Sequence, residues 1–297
     1  EQSFEVDVKG EGGLFTYGLK IAYNPGIKKE RIEHEYLLFD GNYLLNYAHG
    51  EVTLYRDNHS PGPEFSFDWT VSALSTIAPR SDNTKLTWFK NWIQKLFIVG
   101  LQPRAMTSES QAESDWLNRD GTNFASWYRY ISQEYQDKIF QLTQQLRDVI
   151  PGFHAFKLEQ AGKHRILKVG FTKGTDDEAP IFFEFEQLSD GQRVIIVLYT
   201  LLLGLQDLGH TVFIDEPENY VALAEIQPWL MELNDACGES FPQTILISHH
   251  PELINYFGTE RGRWIEREPL GNARVKNLPG KIDDGLKLSD QIARGWV

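Results

Sequence analysis

Residues 188–219, LSDGQRVIIVLYTLLLGLQDLGHTVFIDEPEN, decide the fold. The stretch opens on a polar turn, continues as an apolar run, breaks at a Gly, and ends in four apolar or β-branched residues followed by Asp215 and Glu216. Ser189 is a preferred helix cap, and the apolar run is about a dozen residues, well short of the roughly 20 that cross a bilayer. The spacing therefore predicts a buried core helix over 189–206 and a buried strand over 211–214. Outward from there the alternation continues, with a helix at 226–237, a strand at 244–248 and a helix at 252–257. Alternation of this kind predicts parallel strands covered by helices, with functional residues at the strands' carboxyl ends.

Upstream the pattern is different. Residues 4–55 show period-two patterning broken by Gly, Asn and Pro, which predicts an antiparallel meander. Residues 57–84 are turn-rich, and KLTWFKNWIQKLFIVGLQP passes from a helix into an apolar strand at 96–99. The segment 107–150 reads as polar and mostly helical until Pro151 stops it. Strands follow near 153–159, 165–171 and 181–185, with the acidic loop KGTDDEAP before the last. The expected architecture is α/β, with a mixed or parallel core sheet, an N-terminal antiparallel meander and an inserted helical lobe. It divides into a β-rich part at 1–106, a helical insertion with returning strands at 107–185, and the remaining core at 186–297.

Composition sets the broad class. The apolar, aromatic and charged fractions of the 297 residues are those of an ordinary globular protein, not of a disordered or fibrous one. A net charge of -13 argues against broad nonspecific capture of nucleic acid, which needs many Lys and Arg side chains, and leaves a local basic patch open. The single cysteine, Cys237, cannot form an internal disulfide, which suits a reducing, cytoplasmic setting. No charged-then-apolar signal segment opens the chain, and no membrane partner is expected. Residue 1 stands inside an apparent strand, from which we expect a further N-terminal part before it.

Three motifs carry chemistry. In TVFIDEPEN, 211–219, an acid at the strand end can hold magnesium and the next can deprotonate an attacking water, so Asp215 is the candidate metal residue and Glu216 the candidate base. A solvated loop after a buried strand explains the pair about as well when it is taken alone. In LSDGQR, 188–193, Ser189 can cap the helix while Gly191 lets the backbone approach a ligand, turning free N–H groups and the helix's positive end toward an anion. An ordinary capped helix would demand no particular Gln192. In TILISHHPELI, 244–254, His249 follows Ser248 at a strand end and could hydrogen-bond a terminal phosphate, with His250 the lesser candidate. Capping the next helix, or a surface position, accounts for the pair equally, whereas zinc is a poor fit without Cys or H-E-x-x-H spacing. Gln102 ends the strand before the helical lobe, where a turn before Pro103 serves as a second account.

In this order, LSDGQR, TVFIDEPEN and ILISHH resemble the ABC-type ATPase head shared by SMC and RecF-like proteins. They are most similar to the standalone bacterial AAA family ATPases of phage-defence operons. The resemblance implies ATP and Mg2+ as cofactors, with Asp215 on magnesium, Glu216 activating water and His249 sensing the γ-phosphate. It implies that Ser189, Gly191 and Gln192 reach a nucleotide held by a second copy of the chain, and it places Gln102 as the Q-loop glutamine. A separately encoded nuclease or toxin effector is the implied partner. The phosphate-cradling loop G-x-x-x-x-G-K-[ST] occurs nowhere in 1–297 and in that family lies before the meander, so this chain alone is expected to be inactive. One departure is NYVALAE, 219–225, where the family usually has a Gly-Leu-His-Pro-like or Ser-Ala-Leu-Asp-like turn. Competing readings are a DNA-repair or SMC-like ATPase, opposed by the short, heptad-free interval 102–188, a transporter subunit, and a hydrolysis-incompetent scaffold subunit. Whether DNA or RNA is bound stays open.

Overall fold

Period-two alternation folds the first part of the chain into a six-stranded antiparallel sheet. In the computed structural model, which describes residues 2–10, 12–26, 28–173, 179–267, 273–278 and 286–295, the chain divides into two units, Glu1–Leu96 and Phe97–Val297. The first holds β1 (Gln2–Gly10), β2 (Gly13–Asn24), β3 (Lys29–Phe39), β4 (Asn42–Ala48), β5 (Glu51–Tyr55) and β6 (Pro61–Ser66), paired in sequence order. Asp40 and Gly41, at φ 46° and 79°, make the β3–β4 turn, the two-residue form that needs positive φ at both positions. Register sets Val8 opposite Phe15 and Phe15 opposite Phe39, so one face is apolar. With Leu37, Leu45 and Val52 it forms a core with Ala73 and Leu74 of α1 (Ala73–Thr76) and Leu86 and Phe89 of α2 (Thr84–Ile93). The strand β6 falls in a stretch whose turn residues hide it; Pro61 opens it, where a missing N–H costs little at a sheet edge.

The strand β7 (Leu96–Val99) starts at the last residue of the first unit, and the second continues with the short β8 (Glu109–Ser110), α3 (Phe124–Glu134) and α4 (Gln136–Val149). Next come β9 (Phe153–Ala161), β10 (His164–Phe171) and β11 (Ile181–Glu184); β10 pairs with β8, β9 and β11, all antiparallel. The acidic loop expected before β11 lies mainly outside the described residues. Helix and strand then alternate through α5 (Asp190–Leu205), β12 (Thr211–Asp215), α6 (Leu223–Ala236), β13 (Gln243–Ile247) and α7 (Pro251–Arg261). The β14 (Arg263–Arg267) and β15 (Ala273–Asn277) hairpin and α8 (Leu288–Ala293) end the described chain. The order β13-β12-β7 makes a second sheet, with β12 and β13 parallel as the alternation predicts. The protein is thus a mixed α/β chain with an antiparallel meander and a parallel sheet.

Helix α5 is the centre of this unit: every residue from Arg193 to Leu205 is buried. A helix apolar on all sides must be enclosed, and α5 meets α3, α4 and α6, with the Trp229 indole of α6 donating to the Leu198 carbonyl at 2.9 Å. Trp127, Ile131, Leu142 and Leu146 of α3 and α4 share this core, so those two helices form one body with α5. Among the described residues no helix is long and apolar enough to cross a membrane.

Candidate functional site

Parallel pairing of β12 with β13 puts Asp215 beside Ile247, so the loops after both strands leave from one edge. Glu216 donates its N–H to the Ile247 carbonyl at 2.8 Å and takes φ 48°, a left-handed conformation that costs a non-glycine residue about 1–2 kcal/mol. Its carboxylate is held at both oxygens: Oε1 is 2.9 Å from His249 Nδ1, and Oε2 accepts from Asn219 Nδ2 at 2.6 Å. Ser248 ties the two loops together, donating to the buried Glu218 carboxylate at 2.5 Å and accepting from the His250 N–H at 3.0 Å. His250 Nδ1 accepts from the Glu252 N–H at 3.2 Å and so caps α7. The two histidines are therefore divided: His249 faces the carboxylate, and His250 begins a helix.

A cleft of about 590 Å³ opens at this edge, lined among others by Gln102, Arg119, Asp215, Glu216 and Asn219. Gly100 donates to the Arg119 carbonyl at 2.8 Å and Gln102 to the Asp120 carbonyl at 2.9 Å, so the chain leaving β7 is zipped to the loop 118–123. Asp120 accepts from the N–H and hydroxyl of Thr122. Burial acts to raise the Asp120 pKa, but these bonds outweigh it and hold the carboxyl below its ordinary range. The structure brings Gln102, Asp215 and Glu216 to one cleft and His249 to it through Glu216. Asn219, Arg119 and Glu218 belong to the same neighbourhood and were not singled out by sequence. Asn219 stands inside the quoted DEPEN motif, while nothing in LNRDGTN marks Arg119.

The donors suit a hard cation. Asp215 and Glu216 offer carboxylate oxygens, and among the described residues no group of three or more His, Cys, Asp or Glu could hold a metal. Two carboxylates are of the type and number that a magnesium ion takes when phosphate and water fill its other positions.

Ser189, Gly191 and Gln192 do not line the cleft. Ser189 Oγ accepts from the Gln192 N–H at 3.3 Å while Gln192 Oε1 accepts from the Ser189 N–H at 3.1 Å. This is a capping box, in which Gln at the third helical position satisfies an orphan donor. The expectation that an ordinary helix start would not demand Gln192 is thereby corrected: the local structure uses it. Gly191 is required for close approach, since a Cβ there would stand 2.8 Å from the Tyr220 carbonyl oxygen. Arg193, buried, donates to the Pro103 carbonyl at 2.6 Å and pairs with Asp190 at 2.5 Å, and Asp190 also pairs with Arg104 at 3.1 Å. The start of α5 is thus pinned to the residues just after Gln102.

A family model described as "AAA domain, putative AbiEii toxin, Type IV TA system" matches residues 103–255, slightly more than half of the chain. No curated protein matches the sequence. Among solved structures, the chain is similar to "Crystal structure of the SmcHead bound to the C-winged helix domain of ScpA", at 10% identity and a TM-score of 0.43, over 89% of this chain and 75% of that one.

Proposed function

The chain belongs to the AAA-domain family matched over 103–255 and is a nucleotide-binding ATPase module, and we propose that it hydrolyses ATP, with Mg2+, at the cleft shared by Gln102, Asp215 and Glu216. Glu216 is the observation that carries this reading. It is an acid in left-handed backbone at a parallel strand's end, with one hydrogen-bonding group on each carboxylate oxygen. Left-handed backbone also occurs at turn residues such as Asp40 and Asp207, so the weight falls on the strand-end carboxylate held at both oxygens. In this reading Glu216 accepts the proton of the attacking water, and His249 Nδ1 and Asn219 Nδ2 fix the plane of its carboxylate. Asp215 holds magnesium, which when bound draws charge from the transferring phosphoryl oxygens. His249 keeps its Nε2 for the γ-phosphate, and Gln102 lines the entrance.

Ser189, Gly191 and Gln192 serve the nucleotide of a second copy, a role that the motif resemblance supports. Two copies closing on two nucleotides make a two-state device: γ-phosphate contacts favour the closed form and hydrolysis releases it. The device acts on a separately encoded nuclease or toxin effector in anti-phage defence; the motif resemblance alone supports the separate effector, and the family's description, which calls the AAA-domain protein itself a putative toxin, supports only a toxin-system setting. Residues 1–297 hold no G-x-x-x-x-G-K-[ST] loop, so in this reading another segment or a partner supplies one, and the test uses the polypeptide as it is encoded.

We expect ATP turnover by that polypeptide to fall at least 100-fold in Glu216→Gln, the order of a lost general base. The same variant should accumulate as an ATP-dependent dimer in size-exclusion chromatography. Hydrolysis that survives the substitution would refute the base assignment, and absence of nucleotide binding by the wild type would favour the scaffold reading.

A further inference from the structure

Among the described residues lining the cleft, Arg119 is the only cationic one, and Asp120, Asp215 and Glu216 are the acidic ones. Its Nη2 is 3.6 Å from Asp215 Oδ2, close enough for an ion pair but beyond a hydrogen bond. Its side chain is 70% exposed.

The base of this side chain is fixed. The Arg119 carbonyl accepts from Gly100, the next carbonyl accepts from Gln102, and Asn123 closes the loop by accepting from the Asn118 N–H at 2.7 Å and donating to the Trp116 carbonyl at 2.8 Å. An anchored backbone under a loosely held guanidinium suits a charge that changes partners. We propose that Arg119 neutralises Asp215 in place of a divalent cation while the cleft holds none, and moves to a phosphate oxygen when a metal–nucleotide complex enters.

Electrostatics motivates both halves. A guanidinium and a divalent cation compete for one carboxylate, because each raises the cost of placing the other there. Once displaced, a planar guanidinium matches phosphate oxygens and offsets the repulsion between a triphosphate and three carboxylates. Competition at Asp215 rests on the geometry alone, and the transfer to phosphate rests on the ATPase reading.

The test uses the full-length polypeptide and two probes. With Mn2+ alone, read by electron paramagnetic resonance, Arg119→Gln should bind the ion about 2–5-fold more tightly than the wild type, the scale of removing an exposed ion pair. Asp215→Asn should lose this binding. With a non-hydrolysable ATP analogue and metal, Arg119→Gln should bind about 10-fold or more weakly, the scale of a hydrogen bond to a charged group, and Arg119→Lys should recover part of the loss. Loss of nucleotide affinity alone, as from a structural defect, would not tighten Mn2+. Mn2+ affinity that is absent, unchanged or weaker in Arg119→Gln would overturn the proposal, as would unaltered nucleotide affinity. If the wild type binds no nucleotide, the ATPase reading and the transfer step both fail, while the Mn2+ comparison still decides the competition.

Discussion

Gln192 carries two demands that one substitution can separate. Its carboxamide oxygen serves the capping box at the start of α5, and recognition of a phosphate would fall to its amide nitrogen, a donor. Gln192→Glu keeps the acceptor and removes the donor, so we expect thermal unfolding unchanged within a few tenths of a kcal/mol and ATP turnover at least about 10-fold lower. Gln192→Ala should lose about 1 kcal/mol of stability as well, the scale of a lost cap. Equal turnover in Gln192→Glu and wild type would leave the residue with a purely structural role. At Gly191 the constraint is steric: an added methyl meets the Tyr220 carbonyl at 2.8 Å, backbone that cannot swing aside, and Gly191→Ala should cost about 1–3 kcal/mol in chemical denaturation. Glu216 and His249 were legible at this scale because strand-end acids and histidines are chemical types in a short ordered motif. Arg119 was not, because its place depends on the pairing of 118–120 with 100–102, which no local pattern encodes.

Elements were legible where burial follows period. α5 spans Asp190–Leu205 against an expected 189–206, since an unbroken apolar run between a capping Ser and a break has one stable solution, a fully enclosed helix. The segment 107–123 shows the opposite case. Expected within a mostly helical stretch, it is an irregular loop apart from β8, and helix starts only at Phe124. Short polar side chains of Ser114, Asn118, Asp120, Thr122 and Asn123 bond to nearby backbone or to one another and so compete with helix hydrogen bonds. α2 hides its capping partner for another reason. Its Asn83 cap makes no side-chain cap bond; instead Asp57 accepts from the Thr84 N–H at 2.8 Å, the Thr84 hydroxyl at 2.7 Å and the Lys85 N–H at 3.0 Å. Burial acts to raise the Asp57 pKa, but the Lys85 and Thr84 donors outweigh it and the folded value is lowered. A lowered carboxylate contributes stability that is present above its unfolded pKa and lost as pH falls through the folded one. Asp57→Ala should therefore destabilise by about 1 kcal/mol at pH 7, with the deficit shrinking as the pH is taken below the ordinary Asp value. A deficit that does not change with pH in urea unfolding would contradict this account.

At the scale of the whole molecule, two cores share no residue: one lies between the meander and α1–α2, the other surrounds α5. Substitutions should therefore act on one unit at a time. Trp127→Ala, in the second core, should remove about 3–5 kcal/mol of protection from amides of α5 and β12 in hydrogen exchange and leave those of β2 and β3 unchanged. Loss of protection in both sets would show a single cooperative body.

What the sequence determined by itself is the class of each half, an antiparallel meander and then alternating helix and parallel strand, because side-chain period and burial are local properties. It also determined the chemical types at the strand ends. Which of these residues meet was set by the folded chain. It set His249 against Glu216 and brought Arg119 to Asp215 from a loop with no motif of its own. Those outcomes follow from strand register, loop pairing and close backbone approach, all of which join residues far apart in the chain.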